Sequence, residues 1–244
     1  IIQSGRIFSK MWRFSDINYE VASNAEQEEM FLAHSAILNG LPTDATAKIS
    51  IFNRKIQNNT IEKIIVPVSD EKYKKYIKEL EELLSDKMAE SNNIVHEKYI
   101  TISAEKKNIK EARTYFARVG SDLAADFAKI SSQIMELGYK ERLRLYYEFF
   151  RGDESSEFDF GLKRAMAIGA HFKDYIAPDS IEFKKDYIQI GDKFARVLFL
   201  KEYPSFLKDD LLSQLTDFSR SMMVSVDVQP IPTDEAVKEI QKKL

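Results

Sequence analysis

The chain has 244 residues, 44% hydrophobic and 31% charged, which is the balance of an ordinary folded protein and not of a disordered one. With 36 basic against 39 acidic residues, the net charge of -3 supplies no global field to gather nucleic acid or an anionic membrane, so any such binding is local. The absence of cysteine excludes disulfides, thiolate nucleophiles and sulfur-ligated metals, and suits a reducing cytoplasmic setting.

In chain order, Ile7 to Phe14 alternates loosely as a strand, and "SNAE" (Ser23 to Glu26) is a capping box that opens a helix. Met30, Phe31, His34, Ile37, Leu38 and Leu41 mark the apolar face of that helix, with Gly40 as its stop. "AKISIF" (Ala47 to Phe52) has the period of a strand and "NRKIQNN" closes it. "KIIVPV" is a short strand that Pro67 confines to an edge. From Tyr73 to Met88 the spacing is helical, with Glu71 and Lys75 one turn apart, and "HEKYITIS" (His96 to Ser103) is another alternating strand.

Apolar residues then recur at steps of three or four from Ile109 to Leu137, which predicts one helix of about 45 Å ending at Gly138. "YKERLRLYYEFF" reads as a second helix and "FGLKRAMAIGAHFKDYIA" as a third, stopped by Pro178. "IEFKKDYIQI" and "KFARVLFL" form a hairpin across a Gly191-Asp192 turn. Pro204 breaks the second strand. Ser205 caps a helix faced by Leu207, Leu211, Leu215 and Phe218, with Asp209 and Asp210 at the positive end of its dipole. "MMVSVDVQPIP" is a last strand, and Thr233 caps a last helix.

These elements predict an α+β fold of mixed or antiparallel sheets packed by helices. The strand-helix-strand-helix order recurs near both ends, as two similar halves joined by a helical middle. Three segments follow: an α/β subdomain over 1–105, a helical middle over 106–178, and a strand-hairpin α/β subdomain over 179–244, together one N-terminal region of a longer protein. The lack of an initiator methionine and an end on a helix carry the same expectation.

Catalytic motifs are missing. No glycine precedes a lysine, so there is no Walker A loop, and neither G-x-G-x-x-G nor G-x-S-x-G occurs. His34, His96 and His171 lie far apart without a second histidine or carboxylate pair at metal-ligand spacing, and read as surface or half-buried imidazoles. The "RGD" at Arg151 to Asp153 and the sequon "NNT" at Asn58 to Thr60 are read as chance and as a turn. "YYEFF" fills core, and the basic groups "EKKNIK" and "KEIQKKL" are solvated faces. No catalytic, cofactor-binding or metal-ligating residue is assigned.

The stretch "FKDYIAPDSIEFKKDYIQIGDKFARVLFLKEYPSFLKDDLLSQLTDF", continued by "MMVSVDVQPIPTDEAVKEIQKKL", resembles the N-terminal region of the conjugal-transfer ATPases of type IV secretion systems. These form the VirB/TraE/TrbE group, and the branch is that of Gram-positive conjugative transposons. "WRFSDINYEVASNAEQEEMF" is similar to its counterpart near the start, with Trp12 where the family pattern has phenylalanine. In that family the ATP- and Mg-binding motifs lie further toward the C-terminus. The resemblance therefore implies a domain that is not itself an enzyme, with no cofactor of its own. It docks on other secretion components and on neighbouring subunits at the cytoplasmic face of the cell membrane, reaching the membrane through partners. The alternative is a single-stranded nucleic-acid-binding α+β module, which needs clustered Lys and Arg that the linear sequence does not display.

Overall fold

The computed structural model describes residues 1–55, 71–73, 75–80, 82–83, 94–151, 158–202, 211–216 and 221–243. The expected strand around Pro67, the turn at Asn58, about half of the Tyr73 to Met88 helix, and the Pro204, Ser205, Asp209 and Asp210 readings lie outside those residues. Residues 75–80 and 82–83 are helical, after a 3-10 turn at Glu71–Tyr73.

The fold is α+β, centred on an antiparallel six-stranded sheet. Strands β1 (Ile2–Ser4), β2 (Ile7–Phe14), β3 (Ala45–Lys55), β4 (Ile94–Glu105), β5 (Ile134–Glu136) and, near the far end of the chain, β9 (Met222–Val228) build it. Their order is β1-β2-β4-β3-β9, and β5 shares the outer edge of β2 with β1. The last strand, β9, thus joins the same sheet as the strands near the start of the chain. β9 aligns Val226 with Ile49 and Val224 with Ile51 of β3, placing apolar residues of both ends on one face.

Helices cover both faces. Against one lie α1 (Asn24–Asn39) and α2 (Ile109–Lys129), whose Ile37, Phe116, Val119 and Leu123 meet Phe8 and Trp12 of β2 and Ile100 and Ile102 of β4. Against the other, Leu145 of α3 (Tyr139–Arg151) and the adjacent Leu137 meet Met11, Phe52 and Tyr99. The alternation along each strand assigns successive side chains to these two cores. α3 then buries its outer side, with Leu143 against Phe160 and Ala165, beneath two short helices, α4 (Leu162–Ala167) and α5 (Phe172–Ile176).

The capping box at the start of α1 forms as its sequence predicts: the Ser23 N–H donates to Glu26 Oε2 at 2.8 Å, and the Glu26 N–H donates to Ser23 Oγ at 3.4 Å. The face of α1 is narrower than expected, because Phe31 stands in solvent while Ile37 is buried. "FGLKRAMAIGAHFKDYIA" is not one helix. Gly169, at φ 68°, breaks it into α4 and α5, and His171 caps the second by accepting from the Lys173 N–H.

The largest departure is at α2, which stops at Lys129 instead of running to Leu137. Ser131 adopts φ 57°, its N–H donates to the Ala128 carbonyl, and the Ser132 N–H donates to the Phe127 carbonyl. This is the Schellman closure usually built on glycine, here built on serine. The chain reverses, and Ile134 enters β5 opposite Phe14. Gly138 belongs to the next helix: its N–H donates to Glu141 Oε2 and its carbonyl accepts from the Arg142 N–H. Because a left-handed L-residue costs on the order of 1 kcal/mol that glycine avoids, Ser131→Gly is expected to stabilise the protein by about 0.5–1 kcal/mol. A higher urea midpoint at unchanged slope would show it, and a lower one would refute the reading.

Candidate interaction surface

A second, three-stranded antiparallel sheet follows α5: β6 (Ile181–Phe183), β7 (Ile188–Ile190) and β8 (Lys193–Ala195). The expected hairpin is present between β7 and β8, with Gly191 at φ 58° supplying the positive dihedral of its Gly-Asp turn. "IEFKKDYIQI" is two strands, because the Lys184 N–H closes a turn on the Tyr187 carbonyl. A cluster around the end of α3 holds this sheet in place. Arg151 donates to the Ala177 carbonyl at 3.0 Å and to Asp179 Oδ1 at 2.9 Å, and Lys193 Nζ donates to the Arg151 carbonyl. Arg151 of the "RGD" tripeptide is thus a structural anchor, while Gly152 and Asp153 lie outside the described residues. On the sheet surface, Lys184 donates to Glu182 at 2.7 Å and holds that carboxyl below its ordinary range.

The expected strand "KFARVLFL" ends at Ala195. From Arg196 onward the chain has no regular structure, and none of its main-chain groups is hydrogen-bonded to another described residue up to Glu202. Its side chains are not folded inward: Val197 is 74% exposed, Leu198 81%, Phe199 80% and Leu200 50%, beside Phe194 at 70% and Phe183 at 78%. Single exposed apolar residues are normal, but a contiguous set of this kind marks a contact surface. Lys193, Arg196 and Lys201 punctuate the run, and no acidic residue interrupts it. Four successive apolar residues satisfy a strand's composition without its alternation. An unbroken apolar run of this kind ordinarily marks a strand covered on both faces, so the exposure of Val197 to Leu200 is a feature of the fold that their sequence does not announce.

The histidines are dispersed. His171 caps α5. His96 Nδ1 lies 2.8 Å from Asn53 Oδ1, and Asn53 Nδ2 donates to the Thr216 carbonyl at 2.5 Å, so the pair ties β3 and β4 to α6 (Leu211–Thr216). His34 projects from α1 into a cleft of about 130 Å³ floored by Ile49, Ile100 and Phe127, with the Lys98–Asp16 ion pair at its rim. His34 is exposed overall, and the desolvation of its ring at the cleft lowers the imidazole pKa from the ordinary histidine value. As the pH falls below about 6.5, the unfolded chain takes up a proton that folded His34 refuses, so stability declines from there down to the lowered pKa. Urea unfolding at pH 7 and pH 5.5, values chosen about the ordinary histidine pKa, is expected to show a smaller decline in His34→Phe than in the unaltered chain.

One residue of a predicted solvated face is partly covered. In "EKKNIK", whose other residues are exposed, Lys106 is half-buried between Asp44 Oδ2, at 2.5 Å, and the ring of Tyr115, whose centroid is 3.7 Å from Nζ. Tyr115 also donates to Asp44 Oδ1 at 2.8 Å. Lys106 holds the Asp44 carboxyl low, while burial and Asp44 push the Tyr115 hydroxyl up. The trio clamps the start of β3 and the end of β4 to α2, a structural task. "YYEFF" is divided: Tyr147 is buried, and Phe149 is part-exposed with its ring 5.8 Å from that of Phe52. In "KEIQKKL", α7 (Thr233–Lys243) exposes Ile240, beside the exposed Val237 that precedes the run.

Among the described residues, no group of three or more His, Cys, Asp or Glu side chains is placed to hold a metal ion, and no helix is long and apolar enough to cross a membrane. No family model matches the chain, and no curated protein matches it either.

Proposed function

We propose that this chain is a non-catalytic docking and assembly domain of a conjugation ATPase of the type IV secretion kind. The full-length form hydrolyses ATP to energise channel assembly and the transfer of DNA and protein. The observation that carries this reading is the ordered resemblance from Phe172 through Leu244, residue runs in sequence and not a short motif. The apolar surface from Phe183 to Leu200 lies inside that stretch and supports it, since such a surface serves contact with other proteins. On this reading ATP and Mg belong to a domain beyond Leu244, and the chain works at the cytoplasmic face of the membrane through its partners.

The purified chain is expected to co-purify with channel components of its own system and to leave ATP intact. Hydrolysis at an enzyme-like rate, with contamination excluded, would overturn the proposal. A second reading, a single-stranded nucleic-acid-binding module, draws on one specific feature: the exposed rings of Phe194 and Phe199 interleave with Lys193, Arg196 and Lys201. Titration of labelled single-stranded DNA at two salt concentrations separates the readings. A steep loss of affinity with salt favours the nucleic-acid module, and no binding at low salt removes it.

A further inference from the structure

We infer that two copies of this chain associate by strand exchange: residues 196–202 of each copy add to the open edge of β9 in the other.

The first half of the match is the unpaired segment. Its backbone donors and acceptors have no partner among the described residues, and four successive large apolar side chains, Val197 to Leu200, stand in solvent. Insertion into lipid would hide those side chains but leave the N–H and C=O groups without hydrogen bonds, which hydrocarbon penalises by several kcal/mol per group. A sheet edge satisfies both requirements together, through ladder hydrogen bonds and side-chain contact.

The second half is β9. Among the described residues it pairs with β3 alone, and no other described strand covers its outer row of backbone groups. Proteins guard such edges with proline, bulges or several charges. Within β9 there is no proline, and the single charge is Asp227, which pairs with Lys48 at 3.2 Å. Val226 and Met223 are both exposed. The segment from 196 to 202 has the same number of residues as β9, and with Arg196 and Lys201 against Glu202 its net charge is opposite in sign to that of Asp227.

The choice of a second copy follows from self-complementarity and area. One chain carries both the unpaired strand and the unguarded edge, so a reciprocal exchange closes on a two-fold axis without leaving either unfilled. The exposed parts of Phe194, Val197, Leu198, Phe199 and Leu200 offer on the order of 600 Å² of apolar surface per copy. Two copies reach about 1,200 Å², where stable interfaces begin. The inference stands on these two strands alone, so its failure leaves the transfer-ATPase reading untouched, and the reverse also holds.

The cysteine-free sequence makes the test direct. Sedimentation of the chain at micromolar concentration is expected to give a dimer, and Leu198→Asp combined with Phe199→Asp is expected to give a monomer that keeps the near-UV signal of buried Trp12 but melts lower than the unaltered chain, without that chain's dependence of melting on concentration. Mixing Phe199→Cys chains with Ser225→Cys chains under mild oxidation is expected to yield the mixed disulfide, because these are the central positions of the two seven-residue segments and side chains opposed across paired strands lie about 5 Å apart. A monomer of the unaltered chain at all accessible concentrations would overturn the inference. So would crosslinking of Phe199→Cys only to itself, which would place the two apolar patches face to face. A monomer whose 196–202 amides resist hydrogen exchange would do the same, by placing the strand on its own chain.

Discussion

Phe116→Ala is expected to lower the unfolding free energy by about 3–5 kcal/mol, the range for deleting a buried aromatic ring. Phe116 is 0% exposed and lies where α2 meets the sheet, in the same cluster as Trp12 of β2 and Ile102 of β4. Truncation removes the ring from a site whose neighbours come from three different elements, none free to collapse into the space. The loss therefore includes a cavity as well as the transfer of the ring. Chemical denaturation read by tryptophan fluorescence is a suitable measurement, because Trp12 is the one tryptophan in the chain and is buried in the same core. A loss below about 1 kcal/mol would mean that α2 does not seat on the sheet at Phe116, since even partial relaxation of a core site rarely brings the cost that low.

Asn53→Leu is expected to cost about 2–3 kcal/mol through a different mechanism, the stranding of polar groups. Asn53 is buried and bridges His96 to the Thr216 carbonyl. Leucine has similar bulk but can neither accept from the imidazole nor donate to the carbonyl. A double-mutant cycle with His96→Phe isolates the His96 part. The double variant is expected to be less destabilised than the sum of the single changes, because removing both partners leaves no orphaned ring nitrogen. Full additivity would contradict the bridge. Since Thr216 ends α6, the single variant should also raise hydrogen exchange at residues 211–216 more than elsewhere.

Much of the fold was legible because one local rule at a time governed it. The capping box at Ser23, the strands around Ile49 and Ile100, and the Gly191-Asp192 hairpin each rest on periodicity or turn chemistry that their own residues carry. The misreadings arose where tertiary context overrode a correct local pattern. Ile134 and Leu137 fall in helical step with α2, yet the chain turns at Ser131, a residue that advertises no left-handed backbone. Once past the turn, Ile134 serves a strand and Leu137 the opposite core, so their spacing was coincidental. Lys106 looked like one more solvated cation. Only the folding of Asp44 and Tyr115 around it, from 62 residues before and from the next helix, covers part of it. The apolar composition of the contact surface was visible, but its exposure was not, because composition says what a side chain prefers and not whether the fold supplies a neighbour. The partners expected of the surface followed from resemblance and not from any side-chain chemistry legible at Val197 to Leu200.

The strand order carries a consequence for how the protein is made. β3 is finished by Lys55, yet its neighbour on one side, β9, begins at Met222, so during synthesis β3 emerges long before the strand that flanks it. Until then the growing chain presents β3, with Ile49 and Ile51 on one face, as its outermost strand, and the closing contact spans most of the polypeptide. Folding of the sheet is thereby gated by a strand made long after the one it flanks. A nonsense change anywhere between those strands would release a product whose exposed rim is the wrong one.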